Sequence, residues 1–162
     1  MKFVNEVFEQ LAACFVGELK GDGEIAHPKI LKRESLDYSV ESLKQVDEYL
    51  TFLYEHKPKR ITKAWLNTVL WGGAYVGEVI RRNASCEHDW VSFEDWIQEH
   101  PEHLRSLGPE NTLPVCAVLR FRQNAFTLPL NKVSKFINNG PEDGTWAYGA
   151  ITCGLDASEW NK

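Results

Sequence analysis

The sequence has little that would mark a membrane, secreted or nucleic-acid-binding protein. Its longest apolar run, 69–77, is far shorter than the roughly 20 residues that a transmembrane helix needs. Basic residues are outnumbered by acidic ones, 18 to 23, and the net charge of −5 argues against binding to nucleic acid phosphates. Glu6 and Glu9 fall where a signal peptide would be apolar. We therefore expect a cytoplasmic protein with no direct nucleic-acid or membrane partner.

Cysteine is scarce and dispersed. The four cysteines, Cys14, Cys86, Cys116 and Cys153, are far apart, and no two of them form a CxxC pair. Because redox motifs and zinc ribbons use closely spaced cysteines, neither is expected. Apolar neighbours around three of the four predict reduced, buried thiols.

Apolar residues are abundant enough for a core, at 43% of the chain, and the length fits one domain over 1–162. In the first half they recur at helical spacing, which predicts helices over 3–19, from Ser39 to before Pro58, and from Thr62 to about Asn83. The second half predicts strands over 88–93, 114–121 and 125–130, helices over 94–100 and 131–138, and either state over 146–153. The sequence therefore predicts an α+β fold, with N-terminal helices packed on a small antiparallel sheet.

Glycines interrupt the third predicted helix, although each costs about 1 kcal/mol relative to alanine. Gly73 and Gly77 share one face, so we expect another element to approach the helix closely there. Glu78 follows them and allows two interpretations. It is either a buried acid with a raised pKa or, as we favour, an ion-pair partner of Arg81 or Arg82 one turn away. The helical pattern places these residues on the inner face: Leu66, Val69, Leu70, Val76 and Ile80.

Acidic residues concentrate in 84–112, where seven carboxylates accompany one base, Arg105. Carboxylates steer a basic partner towards a surface, and aromatic side chains anchor it once docked. The competing interpretation is a solvated acidic surface with both tryptophans of the segment in the core. The predicted partner-binding residues are Glu87, Asp89, Trp90, Glu94, Asp95, Trp96, Glu99 and Glu102.

The same segment holds four residues of the types that bind zinc: Cys86, His88, His100 and His103. Their spacing matches no standard zinc finger, and Pro101 would break a helix presenting paired histidines. We therefore favour exposed histidines in an acidic loop, with no metal, cofactor or catalytic residue.

One basic–aromatic–basic triplet, 120–122, lies on a predicted strand. Strand alternation places Phe121 inward and the two arginines, Arg120 and Arg122, outward. There the arginines would bind an anionic ligand or pair with the acidic segment.

Two motifs carry a resemblance. Residues 37–43 read DYSVESL and residues 73–79 read GAYVGEV. With 128–140, they resemble a loose group of small bacterial proteins of unassigned function, in which a DYS-x-ESL helix start precedes a GAY-x-GEV helix and a tryptophan-containing strand, here with Trp90. The resemblance spans about 36–140 and implies a helix cap, a tight helix crossing and a turn, but no catalytic residue. In size, charge and type the chain also looks like immunity proteins of bacterial toxin–immunity pairs, including contact-dependent inhibition systems.

These features together predict a non-enzymatic immunity protein that neutralises a basic toxin domain, such as a nuclease, through its acidic segment. Two alternatives stay open. One is a small metal-dependent enzyme or metal-binding protein that uses the Cys/His set above. The other is a structural subunit that binds a second copy of itself through exposed aromatic residues.

Overall fold

A computed structural model describes residues 2–108, 110–122 and 124–154. Within these ranges the chain forms seven α-helices and three β-strands, and the predicted α+β class is confirmed. The elements are α1 (Lys2–Val16), α2 (Leu43–Glu55), α3 (Lys63–Asn83), β1 (His88–Ser92), α4 (Phe93–Glu99), α5 (Leu104–Leu107), β2 (Ala117–Phe121), β3 (Ala125–Thr127), α6 (Pro129–Asn139) and α7 (Thr145–Thr152).

Both predicted helix caps are confirmed. The Ser39 hydroxyl accepts a hydrogen bond from the Ser42 amide at 3.1 Å, which caps a 3-10 turn that leads into α2. The Thr62 hydroxyl accepts one from the Trp65 amide at 3.2 Å and caps α3. In contrast, α1 ends before the predicted residue 19, because Gly17 takes a φ of +93° that terminates the helix.

The three strands form one antiparallel sheet in the order β1-β2-β3. Trp90 of β1 pairs with Leu119 of β2, and Leu119 pairs in turn with Thr127 of β3. Two predicted boundaries are wrong, and each involves a proline. A 3-10 turn over Leu113–Val115, with Pro114 near its start, precedes β2, and Pro129 begins α6 two residues earlier than expected.

The sheet separates two groups of buried apolar side chains. On its inner face, Trp90, Ala117 and Leu119 join the main core with α1, α2, α3 and α6. On its outer face, Val91 and Val118 join a smaller cluster. The rest of that cluster is Phe93, Trp96, Leu107 and Val115. We call residues 93–107, which cover the outer face, the outer layer.

The glycines of α3 allow the close contacts that the sequence predicts. A Cβ added at Gly73 would lie 2.6 Å from Leu130 Cα in α6, and one at Gly77 would lie 2.1 Å from Trp90 Cζ2 in β1. Neither distance is compatible with a side chain larger than hydrogen. The helix therefore meets α6 and the sheet at its glycines.

A half-buried carboxylate of α2 caps the segment that the sequence left ambiguous. Asp47 accepts hydrogen bonds from the Thr145 amide at 2.7 Å and the Trp146 amide at 3.1 Å. These amides begin α7, and helices leave their first N–H groups unpaired. The distant carboxylate thus helps residues 145–152 to form a helix.

Across the described ranges, the helices are either too short or too polar to cross a bilayer.

Candidate functional site

Trp90 is a core residue, so the prediction that it anchors a partner is wrong. Its side chain is 0% exposed and stacks on Phe8 with ring centroids 4.1 Å apart. The indole lies against Gly77, and its Nε1–H donates to Glu78 Oε2 at 3.0 Å. Every part of the ring is therefore used by contacts within the chain.

Glu78 forms the predicted ion pair with Arg81. Its two oxygens accept hydrogen bonds from Arg81 at 3.1 and 2.9 Å, in addition to the one from Trp90. Arg82, the other predicted partner, instead lies over the Tyr38 ring, 3.6 Å from its centroid. Because the buried carboxylate is paired and hydrogen-bonded, it holds α3 against β1.

Trp96 is equally buried, at 0% exposure, so its predicted role as a surface anchor is also wrong. The ring packs among His100, His103 and Phe126, with centroids 4.2, 5.5 and 5.2 Å away. Its Nε1–H donates to His103 Nδ1 at 2.9 Å. Trp96 is thus the centre of the outer layer's own small core.

The carboxylates of the outer layer point away from the sheet and into solvent. Phe93 and Trp96 face the sheet, which leaves the intervening polar positions of α4 in solvent. Glu99 Oε2 lies 3.8 Å from Arg120 Nη1, which confirms that an arginine of the triplet pairs with the acidic segment. Four of the predicted residues are exposed here: Glu94, Asp95, Glu99 and Glu102.

The other two predicted carboxylates lie in a different place. Glu87 and Asp89 line a hollow of about 420 Å³ together with Cys86, Arg120 and Arg122. Asp89 is half-buried there and accepts a hydrogen bond from the Asn5 side chain at 2.9 Å. The acidic segment therefore splits into an acidic outer layer and a hollow of mixed charge.

The four candidate zinc ligands are also divided. Among the described residues, His100 and His103 gather with Glu102, their ligand atoms all within 4.8 Å of one another. Cys86 and His88 are outside this group. His88 is bonded through Nδ1 to the Cys86 carbonyl at 2.9 Å, and its ring stacks on Phe121.

The hydrogen bond from Trp96 opposes metal binding at His103. It occupies the Nδ1 lone pair, so the proton of the neutral ring sits on Nε2, which lies 3.9 Å from Glu102 Oε1. A histidine that binds metal through Nε2 carries its proton on Nδ1 and donates it to an acceptor. The arrangement at His103 is the reverse, which favours a hydrogen-bonded ring stack over a metal centre.

The cysteines are free thiols, as expected, although Cys86 and Cys116 are only half-buried. Burial raises the pKa of Cys116, and it raises the pKa of Cys153 to about 11. A raised pKa keeps a thiol protonated near neutral pH, and the protonated form is a poor nucleophile.

A basic strip over 57–63, between α2 and α3, was not among the predicted site residues. Four of its seven residues are Lys or Arg, and 56–77 contains no acidic residue. This charge pattern could have predicted the strip from the sequence. The strip borders an apolar groove beside α3 and α6.

No family model, curated protein or solved structure matches the chain. The function of the chain is therefore inferred from the geometry of its surfaces.

Proposed function

We propose that this chain is a non-enzymatic inhibitor that binds a basic protein, in the manner of an immunity protein, through the carboxylates of its outer layer. One observation carries the proposal: Glu94, Asp95, Glu99 and Glu102 are all exposed within nine residues, while the tryptophan beside them is buried. Recognition at this surface therefore depends on charge and not on an aromatic anchor.

Crowded like charges favour a cationic partner for a physical reason. The carboxylates repel one another in the free protein, and a partner that brings lysines or arginines relieves that repulsion. The negative electrostatic potential of these carboxylates also accelerates association with a basic surface, and added salt reduces that acceleration. A toxin domain that binds nucleic acid phosphates has such a surface, and covering it would block the substrate.

The individual carboxylates are not equivalent. Glu99 is close to Arg120, and Glu102 Oε1 lies 3.4 Å from His100 Nδ1. Glu94 is bonded to the neutral Asn111 side chain at 2.6 Å, and its charge is not cancelled. We therefore expect Glu94 and Asp95, both in the first turn of α4, to contribute most to binding.

The test compares two charge-matched variants as tagged proteins in the source cells. One neutralises the outer layer (Glu94→Gln, Asp95→Asn, Glu99→Gln and Glu102→Gln). The control neutralises four exposed carboxylates elsewhere (Glu34→Gln, Glu48→Gln, Glu55→Gln and Glu142→Gln). Proteins captured at low salt and at about 0.5 M NaCl are identified by mass spectrometry, and association rates are then measured with the purified partner.

We expect the wild type and the control to capture the same basic protein. The outer-layer variant should lose it or associate at least about tenfold more slowly, because surface charges act mainly on the association rate. Capture that is equal for both variants would remove the outer layer as the binding surface. A partner that is not basic would contradict the proposed chemistry.

A further inference from the structure

An apolar groove of about 260 Å³ lies where the loop after α2, the start of α3, the Leu113–Val115 turn and α6 meet. Ile61 is 74% exposed at its edge. Leu66, which the helical pattern predicts on the inner face, is 45% exposed. The apolar lining includes Ile61, Trp65, Leu66, Val69, Leu113 and Pro114. Apolar side chains left in solvent within a concave surface are typical of a binding site.

The charged residues of the strip that borders this groove are all basic. Two of the four bases of the strip are engaged, since Lys57 Nζ donates to the Asn138 carbonyl at 3.2 Å and Lys63 pairs with Asp22 at 2.6 Å. Lys59 and Arg60 are exposed, and within the described residues neither has an ion-pair partner. Two free cations therefore stand beside exposed apolar surface.

We propose that this groove binds an acidic peptide segment of a partner protein. A large apolar side chain of the segment would fill the space between Trp65, Leu66 and Pro114. Flanking carboxylates would pair with Lys59 and Arg60, whose charge they complement. This surface is separate in place and opposite in charge to the outer layer, so the proposal does not depend on the proposed function.

The shape of the groove favours a peptide over the two other occupants that fit its charge. An anionic membrane is a broad, flat surface and would touch the raised Ile61 without reaching Trp65, which is 9% exposed at the groove floor. The acidic outer layer of a second copy would supply charge, but its Trp96 is buried, and Leu104, at 37% exposure, is the one exposed large apolar side chain of 93–107.

The first probe is an array of peptides of about ten residues, a length that spans such grooves. It contains acidic peptides with Leu or Trp, acidic peptides with Ser in their place, and basic peptides with Leu or Trp. We expect retention of the first class only. Titration of the best peptide into ¹⁵N-labelled protein should shift the amide signals of Ile61, Trp65 and Leu66.

Variants then locate the site. Lys59→Glu with Arg60→Glu, and separately Ile61→Ser, should each weaken binding by about tenfold or more. The control Lys20→Glu with Lys29→Glu makes the same charge change at exposed positions elsewhere and should leave binding unchanged. The substituted groove residues are exposed, so unchanged thermal melts are expected for all three variants.

Three results would overturn the proposal. One is an array with no preference for acidic peptides that carry Leu or Trp. Another is binding to vesicles of phosphatidylserine and phosphatidylcholine without peptide binding, which would identify a membrane. The last is concentration-dependent light scattering that the groove variants abolish, without peptide binding, which would identify a second copy.

Discussion

Trp90 and Trp96 are six residues apart, lie in the same acidic segment and are both fully buried, yet they belong to different cores. Trp90 faces the main core with α1 and α3. Trp96 faces the outer side of the sheet, in a cluster with six buried residues among those that the structure describes. Two equally buried tryptophans therefore contribute differently to stability, because the sheet divides the apolar residues into a large core and a small one.

The hydrogen bonds of the two indole N–H groups also differ, and the stronger one belongs to Trp90. The N–H of Trp90 donates to the buried carboxylate of Glu78, which is paired with Arg81, whereas that of Trp96 donates to a histidine ring whose side chain is 25% exposed. Hydrogen bonds to charged groups are roughly twice as strong as those between neutral groups. We therefore expect the inner side to resist opening and the outer layer to open locally.

The largest expected effect tests this difference directly. Trp90→Ala should lower the free energy of unfolding by about 5 kcal/mol, at the upper end for large aromatic deletions, because it also removes the indole hydrogen bond to the buried Glu78 and leaves Arg81 as its donor. Trp96→Ala should cost about 3 kcal/mol, since the outer layer can collapse from the solvent side. Urea denaturation measures both free energies of unfolding.

Hydrogen exchange in the Trp96→Ala variant should accelerate in 93–107 and not in α3. Equal losses, or faster exchange throughout, would contradict two separate cores.

The tight contact between α3 and β1 gives the next effect. Gly77→Ala should cost about 3 kcal/mol because its methyl group would overlap the Trp90 ring. Gly72→Ala is the matched control. It lies in the same helix, its added Cβ would be 3.3 Å from Phe15 Cε1, and we expect a change within about 1 kcal/mol.

The same substitution in a Trp90→Leu protein tests whether overlap with the Trp90 ring causes the loss of stability. If it does, Gly77→Ala should cost much less in a Trp90→Leu protein, and the double-mutant cycle measures the coupling. An unchanged cost would place the strain elsewhere.

The smallest effect concerns the histidine on the inner face of β1. His88 is 3% exposed, and its Nε2 has no hydrogen-bond partner among the described residues. Desolvation by burial lowers the pKa of His88 below its usual value. As pH falls through the unfolded-state value of about 6.5, the unfolded chain takes up this proton first, so stability is lost towards the folded-state pKa.

His88→Gln should therefore lose less stability than the wild type between pH 7.5 and the acid limb of the profile, in denaturant titrations at each pH. His56→Gln is the control, because His56 also bonds a backbone carbonyl through Nδ1, at 2.9 Å, but is exposed. Parallel pH profiles for the wild type and His88→Gln would show that this ring does not titrate with folding.

Local interactions account for what was predicted correctly. The caps at Ser39 and Thr62 depend on amides three residues away, and the Glu78–Arg81 pair spans one helical turn. The glycine face of α3 follows from helical spacing alone. Each of these depends on residues that are neighbours in the chain, where sequence and geometry are directly linked.

The predictions for the two tryptophans, Trp90 and Trp96, were wrong because their side chains are buried. A tryptophan among carboxylates fits an exposed anchor and a buried core equally well, and only the tertiary fold decides. The candidate metal set shows the same limit, since the fold brings His100 and His103 to Glu102 and leaves Cys86 and His88 at the other end of β1.

Local sequence was sufficient to predict α1 to α4 and α6, the caps at Ser39 and Thr62, the α+β class and the close approach at Gly73 and Gly77, because backbone propensity and helical period act over a few residues. The tertiary fold was needed to show that the sheet is covered on both faces and that α7 is a helix capped by Asp47, 98 residues before Thr145. It also separated the acidic outer layer from the basic groove. These outcomes depend on contacts between apolar and polar groups that are far apart in the chain. Such contacts occur at no fixed sequence separation, so no periodic pattern in the sequence predicts them.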